Sequence, residues 1–395
     1  RDLGVWVKAG DLIFQHRNAY VETQGLFKAG SIAAILIKLT GQIFGSNIYF
    51  LLIITFALNI LGVILFLRAF GLKNQQELYF FAGFIILCSP FREILVNGQL
   101  TGIIYGGLSI LILRFNNLRK VNMVELFAYS LLVVFLVDLK PNLTLIPLLI
   151  IFWHFKQYLL ALVSFCLFML GHFSINFYVG AFLEKSWFDT LSSLNSFDLN
   201  PTLFGSISVW QVLNQVVLDP KLAIVLNYLP TLSFFVISCF AIQFLFKRNF
   251  ISAFSLAVLS SFVLSYVHFY SYLPIVVMLL LILMKNSEWY EFGVFASFFF
   301  LSFEVRANII LSLLGPLIVL LCLVDSSMTR KSVFQISVGW VFSVLIRLPV
   351  KDLLDNELLA KSLLASIPFL WLLVKISKGS HYLYFRIDSR IDEQR

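Results

Sequence analysis

Residues 47–70 read NIYFLLIITFALNILGVILFLRAF, a continuous apolar run. A helix of about 20 such residues, rising about 1.5 Å each, crosses a hydrocarbon layer about 30 Å thick. The apolar runs of the chain are long and unbroken, without the alternation that a β-barrel strand needs. Composition agrees: of 395 residues, 60% are hydrophobic and only 13% charged, with 43 phenylalanines. The mean hydropathy is +0.92. A soluble domain has about 45–50% apolar and about 25% charged residues. The expected fold class is therefore all-α, a polytopic helical membrane protein with one membrane domain over residues 1–395 and about 12–14 transmembrane helices.

Upstream of that run, residues 27–45 (FKAGSIAAILIKLTGQIFG) are apolar but interrupted by Lys28, Lys38, Thr40 and Gln42. They predict an amphipathic or re-entrant helix at the interface rather than a span. Downstream, residues 78–90, 100–113, 123–137, 143–153 and 158–182 are further apolar runs. Others follow at 222–246, 250–267, 269–284, 289–303, 307–324, 333–349 and 360–376. Residues 123–137 and 143–153 are short, and Asp138-Leu139-Lys140-Pro141-Asn142 lies between them. This joint reads as a broken helix, which is tolerated at membrane depth only where it lines a cavity.

Alternating the spans by the positive-inside rule puts the basic clusters on one, cytoplasmic, side. These include Arg68 with Lys73, Arg114 with Arg119 and Lys120, Lys247 with Arg248, and Arg330 with Lys331. The first external loop is then residues 1–46 with its interfacial helix, the second is 183–221, and 377–395 is a cytoplasmic tail. The chain begins with arginine, and the thirteen spans after an external start predict one more helix ahead of Arg1. The net charge of +8 fits cytoplasmic Lys/Arg bias and anionic lipid, not nucleic acid. Cys88, Cys166, Cys239 and Cys322 stand singly in apolar runs and read as small buried hydrophobes. No metal-binding spacing, no GxxxxGK[ST], no HExxH and no GxSxG is present, so no metal and no cofactor are expected.

Polar chemistry collects on the outer side. Residues 1–20, RDLGVWVKAGDLIFQHRNAY, carry Asp2, Lys8, Asp11, His16, Arg17 and Asn18 among Trp6, Phe14 and Tyr20. Arg92, Lys140, Arg306 and Arg347 lie at the outer ends of apolar helices, against the usual bias. Each alone can snorkel to headgroups; four together suit an anionic group such as a lipid phosphate. His268, in SYVHFYSY, joins two spans with almost no loop and is expected at a cavity rim. Asp138 and Glu93 adjoin Lys140 and Arg92 as structural partners. Asn142-Leu143-Thr144 matches a glycosylation sequon by chance at a membrane joint. Asp2, close to Trp6 as a sugar-stacking platform, is the candidate base, with Asp11 next in line.

Taken in order, RDLGVWVKAG, the His-Arg-Asn-Ala-Tyr stretch, VNGQLTGII with Asn97 and Gln99, DLKPNLTLIP and SYVHFYSY make a pattern. Over roughly residues 1–285 this resembles the family 87 glycosyltransferases, polytopic enzymes of the GT-C type. The chain departs from the family pattern at Thr101, where Asn is expected, and at Gly25-Leu26-Phe27-Lys28, which replaces a Tyr-Pro-Pro stretch. The resemblance implies an inverting transfer of mannose or a related sugar from a polyprenyl-phosphate donor to a lipid or glycan acceptor. An Asp of the first external loop is the base, and basic residues stabilise the leaving phosphate. It implies Asp2 and His268 as catalytic residues. Trp6, Asp11, Arg92, Asn97, Gln99, Lys140, Arg306 and Arg347 are the implied substrate-binding residues. The expected setting is a bacterial plasma membrane with the site on the non-cytoplasmic face. Two rival readings stand beside it. A secondary transporter places ionisable groups near the bilayer midplane and shows repeated halves; a lipid flippase or polysaccharide-assembly protein needs the cations but not the Asp.

Overall fold

The computed structural model describes residues 3–23, 27, 29–43, 48–72, 75, 78–79, 82–83, 85–86, 91, 94–95, 99–117, 121–183, 185–187, 189, 231–247, 249–261, 274–276, 278–279, 282, 372–374 and 376–377 in full, together with the backbone of further residues inside its helices, Asp2 among them. Among the described residues every regular element is a helix, which fits an all-α fold. It divides into two compact units, one of residues 1–65 and 94–200, the other of 66–93 and 201–395.

The opening stretch, expected as a loop, is a helix, α1 (Asp2–Phe14). Its sequence carries no proline, and Leu3, Ala9, Leu12 and Ile13 recur at helical spacing and are buried. The helix stops at His16, which adopts φ 57°. The Arg17 N–H then reaches the Leu12 carbonyl at 2.9 Å and the His16 N–H that of Ile13 at 3.0 Å, closing the helix end. A short α2 (Ala19–Glu22) follows, capped by Asn18, whose side chain accepts from the Tyr20 and Val21 N–H groups.

Helix α3 (Ser31–Ile43) is the helix that the sequence predicts in this stretch, buried on one side and exposed at Leu36, Leu39 and Ile43 on the other. Ser31, Ala33, Ala34 and Gly41, small residues, share its buried face with Ile37. It packs against α1 and against two later helices, α7 (Met123–Leu139) and α9 (Tyr158–Val179). Small side chains let helix axes approach closely, and packing then outweighs the polar interruptions. Lys38, one of those interruptions, is satisfied by an ion pair with Asp11 of α1.

Helix α4 (Ile48–Ala69) and α9 are long and apolar enough to cross a membrane. Next in the chain come α5 (Gln75–Leu87) and α6 (Thr101–Phe115). Gly62 of α4 meets Gly102 and Gly106 of α6 so closely that a Cβ on Gly62 would overlap the Gly102 carbonyl. Asn59 fastens the same crossing: its Nδ2 donates to the Gln99 carbonyl at 2.9 Å, and its Oδ1 accepts the Gly102 N–H at 2.7 Å. Arg114 at the end of α6 holds Glu125 at 2.8 Å, and Glu125 completes a capping box with Asn122 at the start of α7.

Helix α7 ends at Leu139 and α8 (Pro141–His154) begins at Pro141, with Lys140 extended between them (φ −152°, ψ 84°). The break expected from the sequence is therefore present. Proline lacks the N–H to continue α7 but suits the first position of α8. Gly180, at φ 70°, ends α9. In the second unit α10 (Pro220–Phe246) packs on α11 (Phe250–Phe262), whose first turn is capped by Asn249. Phe66, Phe70, Phe250 and Phe254 form an aromatic cluster there. Cys166 and Cys239, expected to be buried, are exposed on α9 and α10. Each points away from the packed side of its helix, where large apolar residues such as Phe165 and Phe240 are exposed too.

Candidate functional site

Within the first unit, two of the sequence elements singled out above meet. Lys140, half-buried in the α7–α8 break, donates from Nζ to the Thr101 hydroxyl at 3.2 Å. This joins the Lys-Pro element to the Gly-Gln element that leads into α6. Thr101 is fully buried, and the position where the family pattern expects Asn thus holds a hydroxyl facing the lysine. Gln99 is half-buried beside it in sequence, its backbone carbonyl held by Asn59 and its Oε1 buried without a hydrogen-bond partner.

The opening helix carries further candidates. Asp2 is the first residue of α1. Trp6 is half-buried and meets Phe27 edge-on at 5.6 Å, against a core of Ala9, Ile13, Tyr20 and Phe27. Its ring is therefore partly engaged in packing rather than standing free as a platform. Asp11 is paired with Lys38. The His-Arg-Asn-Ala-Tyr stretch is a packing element too. His16 Nδ1 donates to the Tyr178 carbonyl at 2.8 Å and its ring stacks on that of Tyr178 at 4.1 Å. Asn18 donates to the Ser186 hydroxyl at 2.8 Å, and the buried Tyr20 hydroxyl donates to the Ala29 carbonyl at 2.8 Å. Arg92, Asn97, His268, Arg306 and Arg347 lie outside the described residues, as do Glu93 and Glu304.

Asp138 does not pair with Lys140, two residues away. Its side chain is fully buried and turned to the other side, where Oδ1 accepts from His172 Nε2 at 2.7 Å and Oδ2 from the Ala33 N–H at 2.6 Å. Its own backbone carbonyl accepts the Gly30 N–H at 2.7 Å. The carboxylate thus caps the start of α3, where unpaired N–H groups and the helix dipole favour negative charge. Gly30 is required at this point, because a Cβ there would fall within the carboxylate. The Ser31 hydroxyl lies 3.4 Å from His172 Nδ1, and Phe168 and Trp187 flank the imidazole, the latter parallel to it at 6.3 Å.

Sequence reading missed His172, Ser31 and Asn59. The available signal was a lone ionisable or amide side chain inside an apolar run, which is costly without a partner. The sequon residue Thr144 is buried and donates to the Leu136 and Lys140 carbonyls, which fits a chance match. Among the described residues no group of acidic, His or Cys side chains is arranged to hold a metal ion. Comparison with known proteins returns no match to a family model, a curated protein or a solved structure.

Proposed function

We propose that the chain is a polytopic membrane glycosyltransferase that moves mannose or a similar sugar from a polyprenyl-phosphate donor to a lipid or glycan acceptor. The reaction takes place on the non-cytoplasmic face and inverts the sugar. Two helices long and apolar enough to cross a membrane support the setting. The observation that carries the reading is the Lys140 amine at a helix break, beside Thr101, where two of the motif segments converge. A half-buried ammonium at a helix break is suited to a phosphate as a point charge.

The carboxylates narrow the choice of base. Asp138 is fully buried and holds α3, so it is not placed to take an acceptor proton, while Asp11, half-exposed and paired with Lys38, stays next in line. Asp2, at the start of α1, keeps the role. A sugar hydroxyl is a weak nucleophile at neutral pH, and a carboxylate that removes its proton as the new bond forms speeds attack on the face opposite the departing phosphate. The test is transfer of label from a polyprenyl-phosphate sugar to lipid or glycan acceptors by the purified chain in liposomes. Transfer abolished by Asp2→Asn supports the reading. Absence of transfer with every polyprenyl-phosphate sugar, together with absence of donor binding, sinks it.

A further inference from the structure

Asn59 lies near the middle of α4, an apolar helix long enough to cross a membrane, and is completely buried. An amide in such a place is costly unless its polar atoms are matched. They are matched. Nδ2 donates to the Thr55 carbonyl of its own helix at 2.8 Å and to the Gln99 carbonyl at 2.9 Å, and Oδ1 accepts the Gly102 N–H at 2.7 Å. The last two bonds leave α4 and grip the chain on either side of Thr101. We infer that Asn59 is a positioning residue for the Lys140 site: it sets the Thr101 hydroxyl on which the Lys140 amine rests. The use of that amine on a phosphate rests on the glycosyltransferase reading, whereas its placement by Asn59 does not.

The start of α6 needs an outside hold. Leu100 precedes it and offers no side-chain cap, and the first N–H groups of a helix have no partner within it. Asn59 takes the Gly102 N–H from another helix, and so caps α6 while tying it to α4. Gly62, one turn along α4, makes this possible. A Cβ there would overlap the Gly102 carbonyl, so the two backbones touch and the short amide spans the gap.

The glycines account for a close crossing, but not for an amide within it. An apolar side chain would fill the same space with no polar atoms to match. What the amide adds is register. It recognises one carbonyl and one N–H of the incoming chain, and this fixes the height and rotation at which α6 begins. Thr101, fully buried between those two points, then has one place for its hydroxyl, 3.2 Å from Lys140 Nζ. The contacts run from α4 through the start of α6 to the α7–α8 break.

The experiment follows the amine itself. The full chain in liposomes is treated briefly with an acetylating reagent, and mass spectrometry reads the modification of Lys140. Lys38, whose side chain is 14% exposed in the same unit, is the internal control. The rate at Lys140 is expected to rise about threefold or more in Asn59→Ala and in Thr101→Val, as a released hydrogen bond allows, with no further rise in the double variant. A smaller rise in either variant, effects that multiply in the double variant, or an equal rise at Lys38, which means general loosening, overturns the inference. Should Asn59→Ala not fold, Thr101→Val, which only swaps the hydroxyl for a methyl, decides by the same measure. A second arm reads binding of polyprenyl-phosphate mannose. Asn59→Ala is expected to weaken it about threefold in the parent background and not at all in Lys140→Ala. Equal weakening in both backgrounds overturns the inference. A parent that binds no such lipid defeats the glycosyltransferase reading instead, and the acetylation rates then decide the placement by Asn59.

Discussion

The Nζ of Lys140 stands 3.2 Å from the hydroxyl of Thr101, thirty-nine positions earlier in the chain. That contact fixes the α7–α8 break against the first turn of α6. It also keeps a cation at the one point where the α7–α8 helical rod is open.

Lys140→Ala is expected to weaken binding of a polyprenyl-phosphate sugar by tenfold or more. A charge-assisted contact to phosphate in a partly buried site contributes about 1.5–3 kcal/mol, and about 1.4 kcal/mol is a factor of ten. Donor binding to the purified chain in liposomes measures it. Unchanged affinity would mean that Lys140 only ties the break to Thr101.

Asp2→Asn is expected to keep donor binding and to lose transfer by about 10²–10⁴-fold, the usual cost of removing a general base. Asp11→Asn is the companion variant. The Asp11 side chain is 42% exposed, so its pair with Lys38 contributes under about 1 kcal/mol. Single-turnover transfer and thermal unfolding of the two variants separate the roles. Full activity in Asp2→Asn with loss in Asp11→Asn would move the base to Asp11.

Asp138→Ala is expected to destabilise the first unit by about 3–5 kcal/mol, because it leaves His172 and the Ala33 N–H without their buried partner. Gly30→Ala should act in the same direction, since the added methyl competes with the carboxylate for the same space. Thermal unfolding in detergent reports both. A parental melting temperature in both variants would show that α3 does not depend on this cap.

Sidedness follows from the charge alternation. Arg119→Cys, Arg248→Cys and Arg330→Cys should be labelled by an impermeant thiol reagent only from the cytoplasmic side, and Asn200→Cys only from outside. The native Cys166 and Cys239, both exposed, must first be replaced by serine. Asn200→Cys labelled from the cytoplasm would remove the active-site side assignment.

Local chemistry was readable along the chain. Residues 47–70 became α4 (Ile48–Ala69), because a long apolar run without proline has one economical way to satisfy its backbone. Pro141 marked the break between α7 and α8, because a missing N–H is a local fact. The first twenty residues, read as part of an external loop, are helical from Asp2 to Phe14. In the folded chain Asp11 is matched by Lys38 and the apolar residues between them keep helical spacing. What only the tertiary structure decided is partner choice. The sequence puts Lys140 two residues from Asp138, yet the two side chains leave the α7 end in different directions. One reaches Thr101, and the other reaches His172 and the start of α3. A buried carboxylate settles where two donors and a helix terminus converge, and that convergence of α3, α7 and α9 exists only once the helices have packed.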